Sequence, residues 1–110
     1  MDMRTTLKPH AETPCDAVSG ITVGVSRPSP GALVLTYLVT GLMDHVRLPL
    51  SAAPTRVDEL WRTTCFEVFV RAGRSAEYYE FNFAPSTQWA AYRFDSYRAG
   101  MSVAYEKIMT

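Results

Sequence analysis

Three short segments with two-residue alternation, separated by very short connections, constrain the fold of this chain more than any other feature. They are TTCFEVFVR at 63–71, EYYEFNFA at 77–84 and QWAAYRFD at 88–95. Aromatic and β-branched residues are frequent in them, which favours strands over helices. The connections AGRSA and PST are short enough for antiparallel hairpins. The second half of the chain is therefore predicted to form an antiparallel sheet.

The first half of the chain shows a related pattern. GITVGVS at 20–26 alternates apolar residues with small or polar ones, and ALVLTYLVTG at 32–41 is rich in β-branched residues. Pro28, Pro30 and Gly31 between these segments predict a hairpin connection. Weaker signals predict three further elements, namely a short strand at 45–48, one helical turn capped by Asp58, and a short strand at 102–106.

Length and charge narrow the class of protein. A chain of 110 residues suits one domain, and residues 1–19, which follow neither hydrophobic period, are expected to form an extended arm before a domain at 20–110. Eleven Lys and Arg balance eleven Asp and Glu, so no net charge draws the chain to nucleic acid or to a membrane surface. The N-terminal residues lack a signal pattern, so we expect a cytoplasmic protein with Cys15 and Cys65 reduced.

Alternation assigns the side chains of the three segments to two faces. The predicted core face carries the apolar residues Phe66, Val68, Val70, Tyr79, Phe81, Phe83, Tyr92 and Phe94. If the hairpins are in phase, the opposite face gathers polar groups beside two rings, namely Glu67, Glu80, Asn82 and Arg93 with Tyr78 and Trp89. Such groups would bind hydroxyls, and the rings would stack on the C–H face of a sugar. The alternative is a solvated face with weak cross-strand ion pairs, and a one-residue slip would move the polar set to the other side.

Two longer stretches resemble a known family. DELWRTTCFEVFVR and EYYEFNFAPSTQWAAYRFDSYRAGM, from Asp58 to Met101, resemble the bacterial DOMON-like proteins related to family 9 carbohydrate-binding modules. The order of the blocks ELW, CFEVF, EFNF and QWAAYRF carries this resemblance. It implies an all-β chain folded as an antiparallel β-sandwich of jelly-roll-like topology. Relatives of this kind hold either a sugar between aromatic rings or a haem between two axial ligands.

The resemblance implies a non-catalytic binding module, without a cofactor and with a small saccharide as its partner. The expected ligand-binding residues are Trp61, Glu67, Tyr78, Glu80, Asn82, Trp89 and Arg93. For each tryptophan the alternative is an indole that closes the end of the sandwich. Domains of this family are nearly twice as long, so the chain is expected to be an N-terminal portion that self-associates through an open sheet edge.

Three other functions stay open. A sandwich of this kind can serve as a structural or protein-interaction module without any small ligand. A glycoside hydrolase would use two carboxylates, and Glu67 and Glu80 on neighbouring strands could meet the required separation, although no deep cleft is indicated. Haem would need two axial ligands; Met43 and His45 are too close together to clamp it, which leaves His45 with Met101.

Overall fold

The computed structural model describes residues 2–103 and divides by its internal contacts into two compact units, Met1–Val46 and Arg47–Thr110. Each unit is built on one antiparallel sheet. The described residues include only 3₁₀ turns as helical structure, so the prediction of an all-β chain is confirmed. Over the same range, none of the helical segments has the length and apolar character needed to cross a bilayer.

The first unit contains three strands in the order β1-β2-β3. They are β1 (Asp2–Thr6), β2 (Val18–Ser29) and β3 (Ala32–Gly41). The hairpin predicted between the segments at 20–26 and 32–41 is confirmed, with its turn at Pro30 and Gly31. Strand β1 lies within the segment predicted as an extended arm, and it pairs along its whole length with β2.

Alternation along β2 separates an apolar face from a face of glycines and threonine, whereas β3 carries apolar residues on both faces, including the exposed Val34 and Leu38. Ile21, Val23 and Val25 stand directly opposite the apolar residues Val39, Tyr37 and Leu35, and Val23 is buried. The other face of β2 carries Gly20, Thr22 and Gly24. The two-residue period predicted for the segment at 20–26 is therefore confirmed in β2.

The strand predicted at 45–48 is wrong. Met43–His45 form a 3₁₀ turn, closed by hydrogen bonds from the backbone N–H of His45 to Leu42 and from that of Val46 to Met43. Residues 47–50 have no regular structure, and Pro49 among them cannot donate a backbone hydrogen bond to a neighbouring strand.

The second unit contains four strands in the order β4-β5-β6-β7. They are β4 (Phe66–Val70), β5 (Tyr78–Phe83), β6 (Trp89–Phe94) and β7 (Ser102–Val103). The three strands predicted between 63 and 95 are confirmed. The strand predicted at 102–106 is present at its first two residues, and its remainder lies outside the described residues.

The helical turn predicted near Asp58 is the 3₁₀ turn Leu60–Arg62, and the predicted cap is wrong. Glu59 occupies the capping position in a left-handed conformation, with φ of 64°, and no side chain caps the turn. Asp58 instead accepts hydrogen bonds from Tyr92 and Arg56. The turn therefore owes its position to tertiary contacts rather than to a local cap.

The core of the second unit is small. Leu60, Ala84, Ala90 and Tyr92 form one buried cluster, against which the partly buried residues Val57, Cys65 and Phe94 pack. Of the five rings predicted as core on β5 and β6, only Tyr92 is fully buried. Alanines, rather than rings, occupy the most enclosed positions of β6, because the residues before the 3₁₀ turn pass close to this strand and pair with Trp89.

Candidate functional site

The pairing of β4 with β5 places four of the residues predicted for a polar face on one side of the sheet, and this side also carries the buried core residues Ala90 and Tyr92. Glu67 stands directly opposite Asn82, and Phe69 directly opposite Glu80, so these four side chains share one face of the sheet. Tyr78 lies on the same face, two residues before Glu80. Tyr78, Glu67, Glu80 and Asn82 are thus brought together as predicted.

The pairing of β5 with β6 contradicts the rest of that prediction. Glu80 stands opposite Tyr92, whereas Tyr79 stands opposite Arg93 and Phe83 opposite Trp89. Arg93 and Trp89 therefore lie on the other face of the sheet from Glu80. The predicted register of β6 was wrong by one residue, which moves its alternate side chains to the opposite face.

The turn between β5 and β6 explains this register. The backbone N–H of Ala84 donates to the carbonyl of Gln88 at 2.9 Å, so these two residues pair and leave a three-residue loop at 85–87. Thr87 closes the loop in a left-handed conformation, with φ of 79°. With an odd number of loop residues, even-numbered residues of both strands share a face, which joins Tyr92 to Glu80.

A cleft of about 550 Å³ opens at one end of this face. Six residues line it, namely Phe69, Val70, Arg71, Ala76, Tyr78 and Tyr97. We call it the aromatic cleft. Its volume lies within the range of small-molecule sites, and its lining combines three rings with one guanidinium. A largely apolar opening with a single charged group is the usual composition of a ligand pocket.

Two rings of the aromatic cleft, those of Phe69 and Tyr78, are set at an angle to each other. The centroids of Phe69 and Tyr78 are 6.1 Å apart with their planes inclined by 59°, and Tyr78 stacks in parallel on Phe94 at 4.9 Å. Phe69 is 57% exposed and Tyr97 is 77% exposed. Water therefore covers ring surface that a flat, partly apolar ligand would cover instead.

Tyr97 reaches the aromatic cleft from the loop between β6 and β7. The hydroxyl of Tyr78 accepts a hydrogen bond from the backbone N–H of Arg98 at 3.0 Å, which holds the loop against β5. Arg98 adopts a left-handed conformation with φ of 55°, a conformation that is unfavourable for a residue with a side chain. Tyr78 thus lines the cleft and also anchors the loop that supplies its third ring.

Two carboxylates continue the same face beyond the rings. Glu80 is half-buried, and desolvation, together with the negative charge of Glu67, raises the pKa of its carboxyl. Burial, and then the charges of Glu67 and Glu80, also raise the pKa of the Cys65 thiol. A thiol with a raised pKa is less reactive as a nucleophile at neutral pH. The two carboxylates therefore contribute hydrogen-bond acceptors to this face.

Asn82 is fully buried, with 0% of its surface exposed. Neither its amide nitrogen nor its amide oxygen makes a hydrogen bond within residues 2–103. The amide lies close enough to Glu80 to lower the pKa of that carboxyl, without reaching hydrogen-bond geometry. Asn82 is therefore enclosed within the sheet and does not line the aromatic cleft.

The other three predicted site residues lie elsewhere. Arg93 is on the opposite face, where it forms ion pairs with Glu77 at 2.5 Å and Asp95 at 2.9 Å. Trp89 is half-buried on that face, and its backbone pairs with Thr55 and Val57. Trp61, in the 3₁₀ turn, is 59% exposed and carries the Arg62 guanidinium over its ring. None of the three lines the aromatic cleft.

Of the six lining residues only Tyr78 was predicted as a site residue, and the five that were missed include Phe69, Arg71 and Tyr97. Phe69 and Arg71 alternate with Glu67, so the two-residue period already placed them on the polar face. Tyr97 carries no such signal, because it belongs to an irregular loop whose path depends on the contact with Tyr78. Its place in the cleft is visible only in three dimensions.

Metal and haem chemistry find little support in this site. Within residues 2–103 no group of three or more His, Cys, Asp or Glu side chains could hold a metal ion. Met43, His45 and Met101 are all exposed, whereas axial ligands of a haem are presented into an apolar slot.

Comparisons of the chain with protein-family models, with curated proteins and with solved structures find no match. The resemblance to the DOMON-like proteins therefore stays a prediction.

Proposed function

We propose that this chain is a non-catalytic binding module that holds a small saccharide in its aromatic cleft. The observation that carries the proposal is that Phe69, Tyr78 and Tyr97 line one opening of about 550 Å³, with the planes of Phe69 and Tyr78 inclined to each other. Two of these rings are more than half exposed, which costs hydrophobic free energy unless something covers them. The C–H face of a sugar ring is flat and apolar enough to do so.

Polar groups adjoin the rings on the same face. Glu80 stands directly opposite Phe69, and Glu67 lies two residues before Phe69 on β4. Carboxylates accept hydrogen bonds and, when ionised, cannot donate them, so they suit the hydroxyl groups along the edge of a sugar. A ligand that is apolar on its faces and rich in hydroxyls at its edges fits this combination better than a purely apolar one.

We also propose that the two sheets belong to a jelly-roll-like β-sandwich of the DOMON-like type, and that the protein works in the cytoplasm. The antiparallel strand order and the sequence blocks from Asp58 to Met101 support the fold. Cys15 and Cys65 are both free thiols, which suits a reducing compartment.

Isothermal titration calorimetry with a panel of mono- and disaccharides tests the binding. We expect Phe69→Ala and Tyr97→Ala to weaken binding about tenfold or more, since each removes one stacking surface. Trp61→Ala is the matched control, because Trp61 is an equally exposed ring that lies outside the cleft lining. It should bind like the wild type, and all three variants should keep the wild-type melting temperature.

Two results would contradict the proposal. The first is a panel in which no sugar binds, or in which the cleft variants bind as the wild type does; a structural or protein-interaction module would then be the better reading. The second is release of monosaccharide from a bound disaccharide, which would make the protein a hydrolase that uses Glu67 and Glu80.

A further inference from the structure

We propose that the aromatic cleft selects an acidic sugar, a hexuronate, whose carboxylate binds Arg71. This inference rests on the proposed saccharide-binding function and specifies the class of sugar. It follows from the charges around the cleft rather than from its rings.

Arg71 is the charged residue of the cleft lining, and it directly follows β4. The ion pairs within residues 2–103 are made by the guanidiniums of Arg56, Arg62 and Arg93, so Arg71 has no carboxylate partner there. A guanidinium presents a fork of N–H donors that matches a carboxylate in bidentate fashion. The exposed Arg71 guanidinium, beside the rings of the cleft, can therefore bind an anionic group on a flat ligand.

Two acidic residues close in sequence to the cleft lining, Glu77 and Asp95, do not form ion pairs with Arg71. Glu77 and Asp95 both bind Arg93 on the other face of the sheet, and the charge of Glu77 is the main cause that raises the pKa of Arg93. Arg98 adds a second cation on the cleft side, since its guanidinium lies 5.2 Å from the centroid of the Tyr97 ring. The lining of the cleft itself thus carries the positive charge of Arg71 and no carboxylate.

The order of groups along the sheet also suits a uronate. Glu80 stands opposite Phe69, and alternation places Arg71 one step beyond Phe69 on the same face. One step of two residues along a strand is roughly 7 Å. A single sugar ring on Phe69 and Tyr78 would thus have its carboxylate toward Arg71 and its hydroxyls toward Glu80. A neutral hexose would leave Arg71 without a partner, and an amino sugar would bring two cations together.

Calorimetry on the full chain with three matched ligands tests this inference. D-glucuronate carries the carboxylate, its methyl ester keeps the shape without the charge, and D-glucose lacks the group. We expect glucuronate to bind about tenfold more tightly than the other two, with a preference that shrinks as salt is raised. Arg71→Gln should remove the preference, so that glucuronate and its methyl ester bind with equal affinity. Arg74→Gln is the matched control, because Arg74 is exposed in the same connection but outside the cleft lining.

The outcomes separate the two proposals. If the three ligands bind equally and Arg71→Gln changes nothing, the acidic-sugar inference is overturned while saccharide binding stands. If none of the three ligands binds and no sugar of the wider panel binds either, the proposal of saccharide binding is itself contradicted. A preference that survives in Arg71→Gln but disappears in Arg74→Gln also overturns the assignment, because the carboxylate would then bind outside the cleft.

Discussion

The hydroxyl of Tyr92 on β6 donates a hydrogen bond to a carboxylate oxygen of Asp58 at 2.6 Å. Arg56 reaches the same oxygen at 2.9 Å, and its guanidinium lies 5.3 Å from the centroid of the Tyr92 ring. The backbone N–H of Val57 also donates to the carbonyl of Trp89. The residues before the 3₁₀ turn are therefore fastened to β6 by side chains as well as by the backbone, which holds Leu60 over the buried cluster.

Removal of the Tyr92 hydroxyl should destabilise the second unit. Tyr92→Phe keeps the buried ring and loses one hydrogen bond, so we expect the free energy of unfolding to fall by about 1 kcal/mol. Urea denaturation followed by tryptophan emission measures this, because Trp61 and Trp89 both belong to this unit. Tyr97→Phe, at an exposed ring, is the control and should unfold like the wild type. Equal stability of Tyr92→Phe and wild type would show that the bond contributes nothing.

Asp58 should make the stability of this unit depend on acid. The hydrogen bond from Tyr92, and after it that from Arg56, lower the pKa of the Asp58 carboxyl in the folded state. The unfolded chain then binds a proton more readily than the folded one. The stabilisation by Asp58 is thus fully present above the unfolded pKa of about 3.9, and it is lost as the pH falls through the lower folded value.

Asp58→Asn isolates this contribution. Glu80 has the opposite effect on the pH dependence of stability from Asp58. Because its pKa is raised in the folded state, the free energy of unfolding increases as its carboxyl becomes protonated on acidification. The informative quantity is therefore the difference in free energy of unfolding between wild type and Asp58→Asn, measured by urea denaturation from pH 7 to pH 2. We expect this difference to be constant near neutrality and to shrink below about pH 4. A difference that grows on acidification would reverse the assignment.

The strands could be predicted from the sequence because alternation and short connections are local properties. The segments at 63–71, 77–84 and 88–95 each contain one strand of the sheet, and the hairpin of β2 and β3 was also predicted. The strand at 45–48 was not recoverable in this way. Four residues before a proline contain too few apolar positions to distinguish a strand from a turn.

The length of the loop between β5 and β6 could have predicted which side chains of the two strands share a face. It could not have predicted which of these residues are buried. The loop at 85–87 has three residues, and an odd loop joins even positions of β5 to even positions of β6. Burial is different, because it depends on which segments cover the sheet. Phe81 and Phe83 are only half-buried, whereas Ala90 and Ala91 are fully buried, and no local pattern in QWAAYRFD indicates this.

Gly41 at the end of β3 should not tolerate a side chain. Its φ is 150°, and a Cβ built there lies 2.9 Å from the Ser19 nitrogen and from the Val18 Cα, and closer still to the Ala17 carbonyl oxygen. All three are backbone atoms, which cannot move without opening the pairing of β2 and β3. We expect Gly41→Ala to lower the free energy of unfolding of the first unit by about 2 kcal/mol.

Amide hydrogen exchange of β2 and β3 measures this loss. Gly31→Ala in the turn of the same hairpin is the matched control, because its φ lies outside the left-handed range and a Cβ there meets no atom within 4 Å. It should leave protection unchanged or increase it slightly, since alanine restricts the unfolded chain. Equal protection in the two variants would show that the backbone at Gly41 relaxes at little cost.

Asn82 should be replaceable by an apolar residue without loss of stability. Both polar atoms of its side chain are buried and lack partners within the described residues, which is unfavourable by about 1–3 kcal/mol in typical proteins. Valine suits a strand and needs no hydrogen bond, so Asn82→Val is expected to melt at or above the wild-type temperature. A clear fall in the melting temperature, measured by circular dichroism, would mean that the amide has a partner, for instance a buried water.

Asn82→Asp should have the opposite effect at almost the same volume. It would place a third carboxyl in a buried position beside Glu67, which stands directly opposite, and Glu80, which is two residues away. A buried, unpaired charge is strongly unfavourable, so we expect a loss of about 3 kcal/mol or more at pH 7. The new carboxyl would have a raised pKa because of burial and its like-charged neighbours, so the folded state binds a proton more readily than the unfolded one. The loss should therefore diminish as the pH falls from 7 to 4 and be absent from Asn82→Val. A loss that is independent of pH would indicate a packing defect and would argue against a shared electrostatic environment for Asn82 and the two glutamates.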